Sequence, residues 1–147
     1  MGGPLRSPAM REMLTGVRTK DRVTVIETWN GHRLTTHSQA PDPRHSAGPA
    51  PMDMLLAGLA SCVAGTFLSV VYKMRLPIEE VRIRLEAERT DGHPSVWARI
   101  HYELEAVGDI PQDRAERALE LTKKQCPASV MLEKACEITS AVKVVGA

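Results

Sequence analysis

The chain is poor in aromatic residues and in cysteine, and each shortage argues against a class of protein. Only 3% of its 147 residues are aromatic, too few for a surface on which nucleic-acid bases stack. Three cysteines do not make the disulfide framework of a small secreted domain. The formal net charge of +1 is no excess that would attract nucleic acid or an anionic membrane. We therefore expect neither nucleic acid nor membrane among its partners.

Several motifs that mark common sites are also missing. No Cys-x-x-Cys occurs and the five histidines show no ligand spacing, so no metal site is predicted. The Gly-x-Ser-x-Gly motif of serine hydrolases is absent, as is a phosphate-binding loop. The first ten residues lack the apolar core of a signal peptide. We expect a cytoplasmic, reducing location, where a cysteine pair is more often catalytic or metal-binding than structural.

One uncharged run, from Met54 to Tyr72, is long enough to cross a membrane. Its many small and hydroxyl residues make it only moderately apolar, and amphipathic strands follow it instead of a second span. A helix that is apolar on all sides must be enclosed by protein or lipid. We predict a buried central helix at about residues 52–74, which Leu76-Pro77 ends.

Alternating polar and apolar residues predict β-strands on both sides of this helix. We expect Asn30-Gly31 to form a hairpin turn in which both residues adopt positive φ. The predicted strands cover Val17–Trp29, His32–His37, Glu79–Thr90, Val96–Val107 and Cys136–Val145. This order predicts an α+β fold with mainly antiparallel sheets.

Two shorter helices are predicted before the last strand. The first covers Gln112–Lys124, with Asp109 as its cap and Pro111 in its first turn. The second begins at Pro127. Residues 1–16 are expected to form a loose arm or a strand added to a neighbour, and residues 17–147 a single domain.

The cysteines lie in different local settings. Cys126 directly precedes Pro127, which favours the first position of a helix, so its thiol would face unpaired amides that lower a thiol pKa. Cys62 lies deep in the apolar helix, where burial raises a thiol pKa. From local sequence alone, Cys126 could also be an inert cap, and Cys62 and Cys136 could be packed core residues.

Two segments resemble the OsmC/Ohr family (osmotically inducible protein C and organic hydroperoxide resistance protein). They are Pro51-Met-Asp-Met-Leu-Leu-Ala-Gly-Leu-Ala-Ser-Cys62 and Cys126-Pro-Ala-Ser-Val-Met-Leu132. The hairpin between them is similar too, and the similarity extends over about residues 20–145. It implies the OsmC-like fold, with a long central helix, in an intertwined homodimer whose two sites lie at the interface.

The resemblance also implies an activity, that of a thiol-dependent peroxidase acting on organic hydroperoxides in oxidative stress defence. Cys62 matches the cysteine that attacks the peroxide and becomes a sulfenic acid. Cys126 matches the resolving cysteine that condenses with it to a disulfide. The family uses no bound cofactor; an external dithiol, often protein-bound dihydrolipoamide, restores the thiols.

The residues that would support Cys62 differ from the family pattern. Well-studied members carry a glutamate ten positions before the helix cysteine, where this chain has Met52, and Asp53 follows it. Arg44 precedes the helix at a spacing like that of the OsmC branch. We therefore assign the supporting pair to Asp53 and Arg44. The other arginines that could serve are Arg33, Arg22 and Arg18.

Two other functions compete with the peroxidase. Met52 at the glutamate position favours a non-enzymatic module in which Met52, Met54 and Phe67 line a cavity for an acyl chain or another apolar ligand. A redox sensor that passes its oxidation to a partner would use the same cysteines. A disulfide between Cys62 and Cys126 after mild peroxide treatment distinguishes the enzyme from the binding module.

Overall fold

The computed structural model describes residues 12–146, which divide after Met54 into two compact units. The elements are β1 (Leu14–Arg18), β2 (Val23–Thr28), β3 (Arg33–His37), a 3₁₀ turn (Pro43–His45), α1 (Pro51–Lys73), β4 (Ile78–Arg89), β5 (Trp97–Gly108), α2 (Gln112–Gln125), α3 (Pro127–Leu132) and β6 (Glu137–Val145). Most of the predicted N-terminal arm, residues 1–11, lies outside the described residues, and Leu14 to Gly16 belong to β1. The single domain over residues 17–147 stays a prediction.

The first unit contains an antiparallel sheet in the order β1-β2-β3. The prediction of one strand over Val17–Trp29 is wrong, because a tight turn divides it. The amide of Thr19 donates to the carbonyl of Val23 at 2.9 Å, and Arg22 adopts a left-handed φ of 66°. The polar residues between them favour this turn, and it gives β2 a neighbour on each side.

The turn at Asn30-Gly31 lies where it was predicted but has a different form. Of its two residues, only Gly31 has a positive φ, 85°. Its amide donates to the carbonyl of Thr28 at 2.9 Å, and the Thr28 amide donates to His32. These bonds close a loop of three residues, 29–31, whose last residue is left-handed. The sequence had predicted a two-residue turn.

The second unit contains a mixed sheet in the order β4-β5-β6, and together the two sheets confirm the predicted α+β fold. Strands β4 and β5 pair antiparallel as predicted, whereas β5 and β6 are parallel. Parallel neighbours need a crossover connection, and helices α2 and α3 form it. Asp109 is not the cap of α2; Pro111 occupies that position and no side chain caps the helix.

Helix α1 supplies one side of the core of the second unit. It is the one helix in the described part of the chain that is long and apolar enough to cross a membrane. Its side chains pack against an apolar sheet face that includes Ile100 and Leu104, and against α2. Phe67, expected to line a ligand cavity, is fully buried among them. The buried side of α1 consists of Leu59, Val63, Phe67, Val70 and Val71.

The opposite side of α1 is exposed in the single chain and is also largely apolar. Leu55 is 51% exposed and Tyr72 is 61% exposed. Between them lie Gly58 and Gly65, where an added Cβ would meet no neighbouring atom within 4 Å. The helix therefore has one side in the core and a second side that another surface could approach closely.

We expect stability to depend on the buried side of α1. Val71 is fully buried, so Val71→Ala should lower the free energy of unfolding by about 1.5–3 kcal/mol. Val96 lies in the β4–β5 turn and is 47% exposed. Val96→Ala is the matched control and should change the free energy of unfolding by less than about 0.5 kcal/mol. Urea unfolding at equal protein concentration measures both. Equal losses in the two variants would contradict this account of the core.

Candidate active site

The candidate site is built around Cys62, near the middle of α1. The residue is half-buried, and its neighbour Val63 is fully buried in the core. Cys62 therefore lies at the border between the buried and exposed sides of the helix. Since the helix is anchored through its apolar side chains, the thiol has a fixed position at the edge of the core.

Cys126 lies at the junction of α2 and α3 and is fully buried. Its amide donates to the carbonyl of Thr122 at 2.8 Å, which ends α2. Pro127 occupies the first position of α3, so Cys126 is the N-cap residue, as the sequence predicted. The thiol forms no capping bond at normal hydrogen-bond geometry, although the first amides of α3 lie beside it.

The fold brings the two thiols together. The side chains of Cys62 and Cys126 lie close enough to shift each other's pKa, and the backbone amide of Ala128 acts to lower the pKa of both thiols. Both cysteines are reduced in this structure. Residues 64 positions apart in sequence thus form one local site at the edge of the core.

The shared environment shifts the two thiol pKa values in opposite directions. Burial raises the pKa of Cys62, and negative charge on Cys126 raises it further. The Ala128 amide and the Thr66 hydroxyl act to lower this pKa but do not outweigh the rise. Burial also acts to raise the pKa of Cys126, but the Ser129 amide and hydroxyl, together with the Cys62 thiol, outweigh it. The pKa of Cys126 is lowered. In the reduced pair, Cys126 is the more acidic thiol.

Two hydroxyl residues beside Cys126 were not identified from the sequence. Ser129 is 3% exposed and Tyr102 is 1% exposed. Tyr102 was predicted only as one position of an alternating strand, and nothing in the pattern distinguishes it from the core residues around it. Ser129 carried a usable signal: it stands three residues after a predicted N-cap, where a side chain can reach back toward the cap.

The predicted supporting residues Asp53 and Arg44 belong to the first unit. Asp53 is exposed in the first turn of α1, and its amide donates to Ala50 at 3.0 Å. The Arg44 guanidinium pairs with Asp42, with 3.2 Å between Nε and Oδ1. The other arginines have partners too: Arg18 contacts Thr24 and Ser38, Arg22 contacts Gln39, and Arg33 pairs with Glu27. Which of them supports Cys62 stays a prediction.

Cys136 lies just before β6. Burial raises the pKa of its thiol, which donates to the carbonyl of Leu132 at 3.6 Å. This setting agrees with the expected packing role. Within residues 12–146, no three His, Cys, Asp or Glu side chains converge as metal ligands would.

Comparison with known proteins places this chain in a family. The family described as OsmC-like protein matches residues 44–141. Protein YhfA of Escherichia coli K12 is 29% identical over 123 residues, which cover 82% of this chain and 89% of YhfA.

Solved structures show the same fold. An OsmC-like protein from Mycoplasma pneumoniae superposes with a TM-score of 0.83 at 18% identity, over 93% of this chain and 99% of its own. The organic hydroperoxide resistance protein OhrB of Bacillus subtilis superposes with a TM-score of 0.70 at 15% identity, over 91% and 98%. The predicted family and fold are confirmed: the chain belongs to the OsmC-like family.

Proposed function

We propose that this protein is a thiol-dependent peroxidase that reduces organic hydroperoxides in oxidative stress defence. The observation that carries the proposal is the pair of adjacent thiols with opposite shifts of pKa. A neighbouring thiol that is already ionised gives Cys62 both an acceptor for its proton and a partner with which to form a disulfide. The same family includes proteins named for organic hydroperoxide resistance.

The first step transfers an oxygen atom to Cys62. At rest, Cys126 holds the negative charge and accepts a hydrogen bond from the Cys62 thiol. As the peroxide approaches, the proton moves to Cys126 and the Cys62 thiolate attacks the terminal peroxide oxygen. The O–O bond breaks, Cys62 becomes a sulfenic acid, and the departing alkoxide takes the proton from Cys126 and leaves as the alcohol.

The second step forms the disulfide. Cys126, again a thiolate, attacks the Cys62 sulfur; the S–S bond forms, the S–O bond breaks, and hydroxide leaves to be protonated by solvent. Two thiols and one hydroperoxide thus give one disulfide, one alcohol and one water. The acidic Cys126 also makes a good leaving group when the disulfide is later reduced.

An external dithiol completes the cycle by two thiol–disulfide exchanges, in which it becomes a disulfide itself. Protein-bound dihydrolipoamide is the reductant that we propose, and the reducing cytoplasm is the matching location. No bound cofactor takes part, because the two cysteines exchange the electrons with substrate and reductant directly.

Asp53 and Arg44 complete the proposed site. A guanidinium keeps its charge at all ordinary pH values and offers two donors in a fixed fork. Placed beside Cys62, it would stabilise the thiolate and the negative charge that develops on the peroxide oxygen. Asp53 would hold that guanidinium in position.

A homodimer is part of the proposal. The exposed side of α1 carries Leu55 and Tyr72 together with glycines that leave open space. Apolar surface of this kind is normally covered, and small residues allow a second helix to approach closely. A second copy of this chain would cover it, with both sites at the interface.

Substitution of the cysteines tests the mechanism. Cys62→Ser should lower the rate of t-butyl hydroperoxide reduction with dihydrolipoamide roughly 10³-fold or more, because the nucleophile is lost. Cys126→Ser should stop the reaction at the sulfenic acid, which forms more slowly because the proton acceptor is lost and is detectable with dimedone by mass spectrometry. Cys136→Ser is the control and should retain full activity. Unchanged activity in Cys62→Ser would refute the assignment of the nucleophile.

A panel of four arginine variants tests which guanidinium acts on Cys62. We expect Arg44→Ala to slow sulfenic acid formation roughly 10²-fold and Asp53→Asn to slow it about tenfold, because charge stabilisation is lost. Single-turnover kinetics in a Cys126→Ser background isolate this step. The three other variants are Arg33→Ala, Arg22→Ala and Arg18→Ala. A large loss in one of these, with Arg44→Ala unaffected, would contradict the assignment of Arg44.

A further inference from the structure

A polar cluster that is mostly buried lies beside Cys126. It consists of the hydroxyls of Tyr102, Ser129 and Ser140. Tyr102 and Ser140 are register partners on parallel strands β5 and β6, so both side chains are on the same sheet face. Their hydroxyls lie near each other, and the hydroxyl of Ser129 lies near both Tyr102 and Cys126. The neighbouring core positions on this face, including Ile100 and Leu104, are apolar.

The Ser129 hydroxyl is the unusual member of the cluster. It is buried and has no partner at normal hydrogen-bond geometry among the described residues. Buried polar atoms are almost always bonded, and an exception calls for an explanation. Ser129 is the third residue of α3, and Cys126 is the N-cap of the same helix. A side chain at this position can reach back to the cap, so the Cys126 sulfur is the acceptor within its range.

We propose that Ser129 is a positioning residue that donates a hydrogen bond to the Cys126 thiolate and is itself oriented by Tyr102, a role that rests on the proposed peroxidase function. The bond forms when Cys126 becomes charged, because a thiolate accepts hydrogen bonds far better than a neutral thiol. Ser140 bonds the Tyr102 hydroxyl from the other side.

The donor matters most in the second chemical step. In the reduced pair, the Cys62 thiol also donates to Cys126, but its S–H is lost once Cys62 is a sulfenic acid, and the Cys62 sulfur then becomes the atom that Cys126 attacks. Ser129 then keeps Cys126 ionised and holds its sulfur against Cys62 until the S–S bond forms and hydroxide leaves. Burial raises the pKa of Tyr102, so its hydroxyl stays protonated and able to donate at the pH at which Cys126 is a thiolate.

A thiolate titration tests the inference without peroxide. In a protein carrying Cys62→Ala and Cys136→Ala, absorbance at 240 nm against pH, corrected for tyrosine ionisation at 295 nm, reports Cys126 as the only remaining thiol. Adding Ser129→Ala should raise the midpoint by about one pH unit, since the lost bond stabilised the charged form. Ser129→Thr keeps a hydroxyl and should stay near the parent value. Tyr102→Phe keeps the ring and should give a smaller upward shift.

The outcome separates this inference from the proposed function. A midpoint that stays unchanged in both Ser129→Ala and Tyr102→Phe, with near-ultraviolet circular dichroism still native, would overturn the role of Ser129. With both cysteines present, Ser129→Ala should also slow disulfide formation, measured from the point at which the sulfenic acid has formed. A shifted midpoint in a protein that consumes no hydroperoxide would support the hydrogen bond and refute the peroxidase.

Discussion

The proximity of a buried thiol, Cys126, to a half-buried one, Cys62, is the constraint on which the rest of the site depends. A buried thiol resists ionisation, and two buried thiols side by side resist a double charge still more strongly. The fold resolves this by giving Cys126 the amides of α3 and leaving Cys62 on the apolar helix. In the proposed mechanism the pair carries one negative charge, with Cys62 as the proton donor and Cys126 as the acceptor.

The architecture of the second unit keeps Cys62 and Cys126 close together. Helix α1 is anchored by large buried side chains such as Phe67, and this anchoring fixes the position of Cys62 relative to the sheet. The parallel pairing of β5 with β6 requires the chain to cross over, and Cys126 lies at the break between the two crossover helices. The same side of the sheet supplies Tyr102, so the core that fixes the cysteines also carries the hydroxyls around them.

The sequence predicted the elements that depend on strong local patterns. The uncharged run marked α1, the alternation of Val81 to Ala87 marked β4, and Pro127 placed Cys126 at a helix start. It did not predict the turn that ends at Arg22, because a left-handed arginine leaves no signature in an alternating pattern. Nor did it predict the parallel pairing of β6 or the burial of Ser129, since both are set by tertiary packing.

Stoichiometry tests the central claim most directly. One equivalent of t-butyl hydroperoxide, added anaerobically to the reduced protein, should remove two thiols per chain, release one equivalent of t-butyl alcohol and yield a peptide linked between Cys62 and Cys126. Cys136 should remain free. Peroxide that persists beside intact thiols would contradict the account, as would loss of thiols without a link between Cys62 and Cys126.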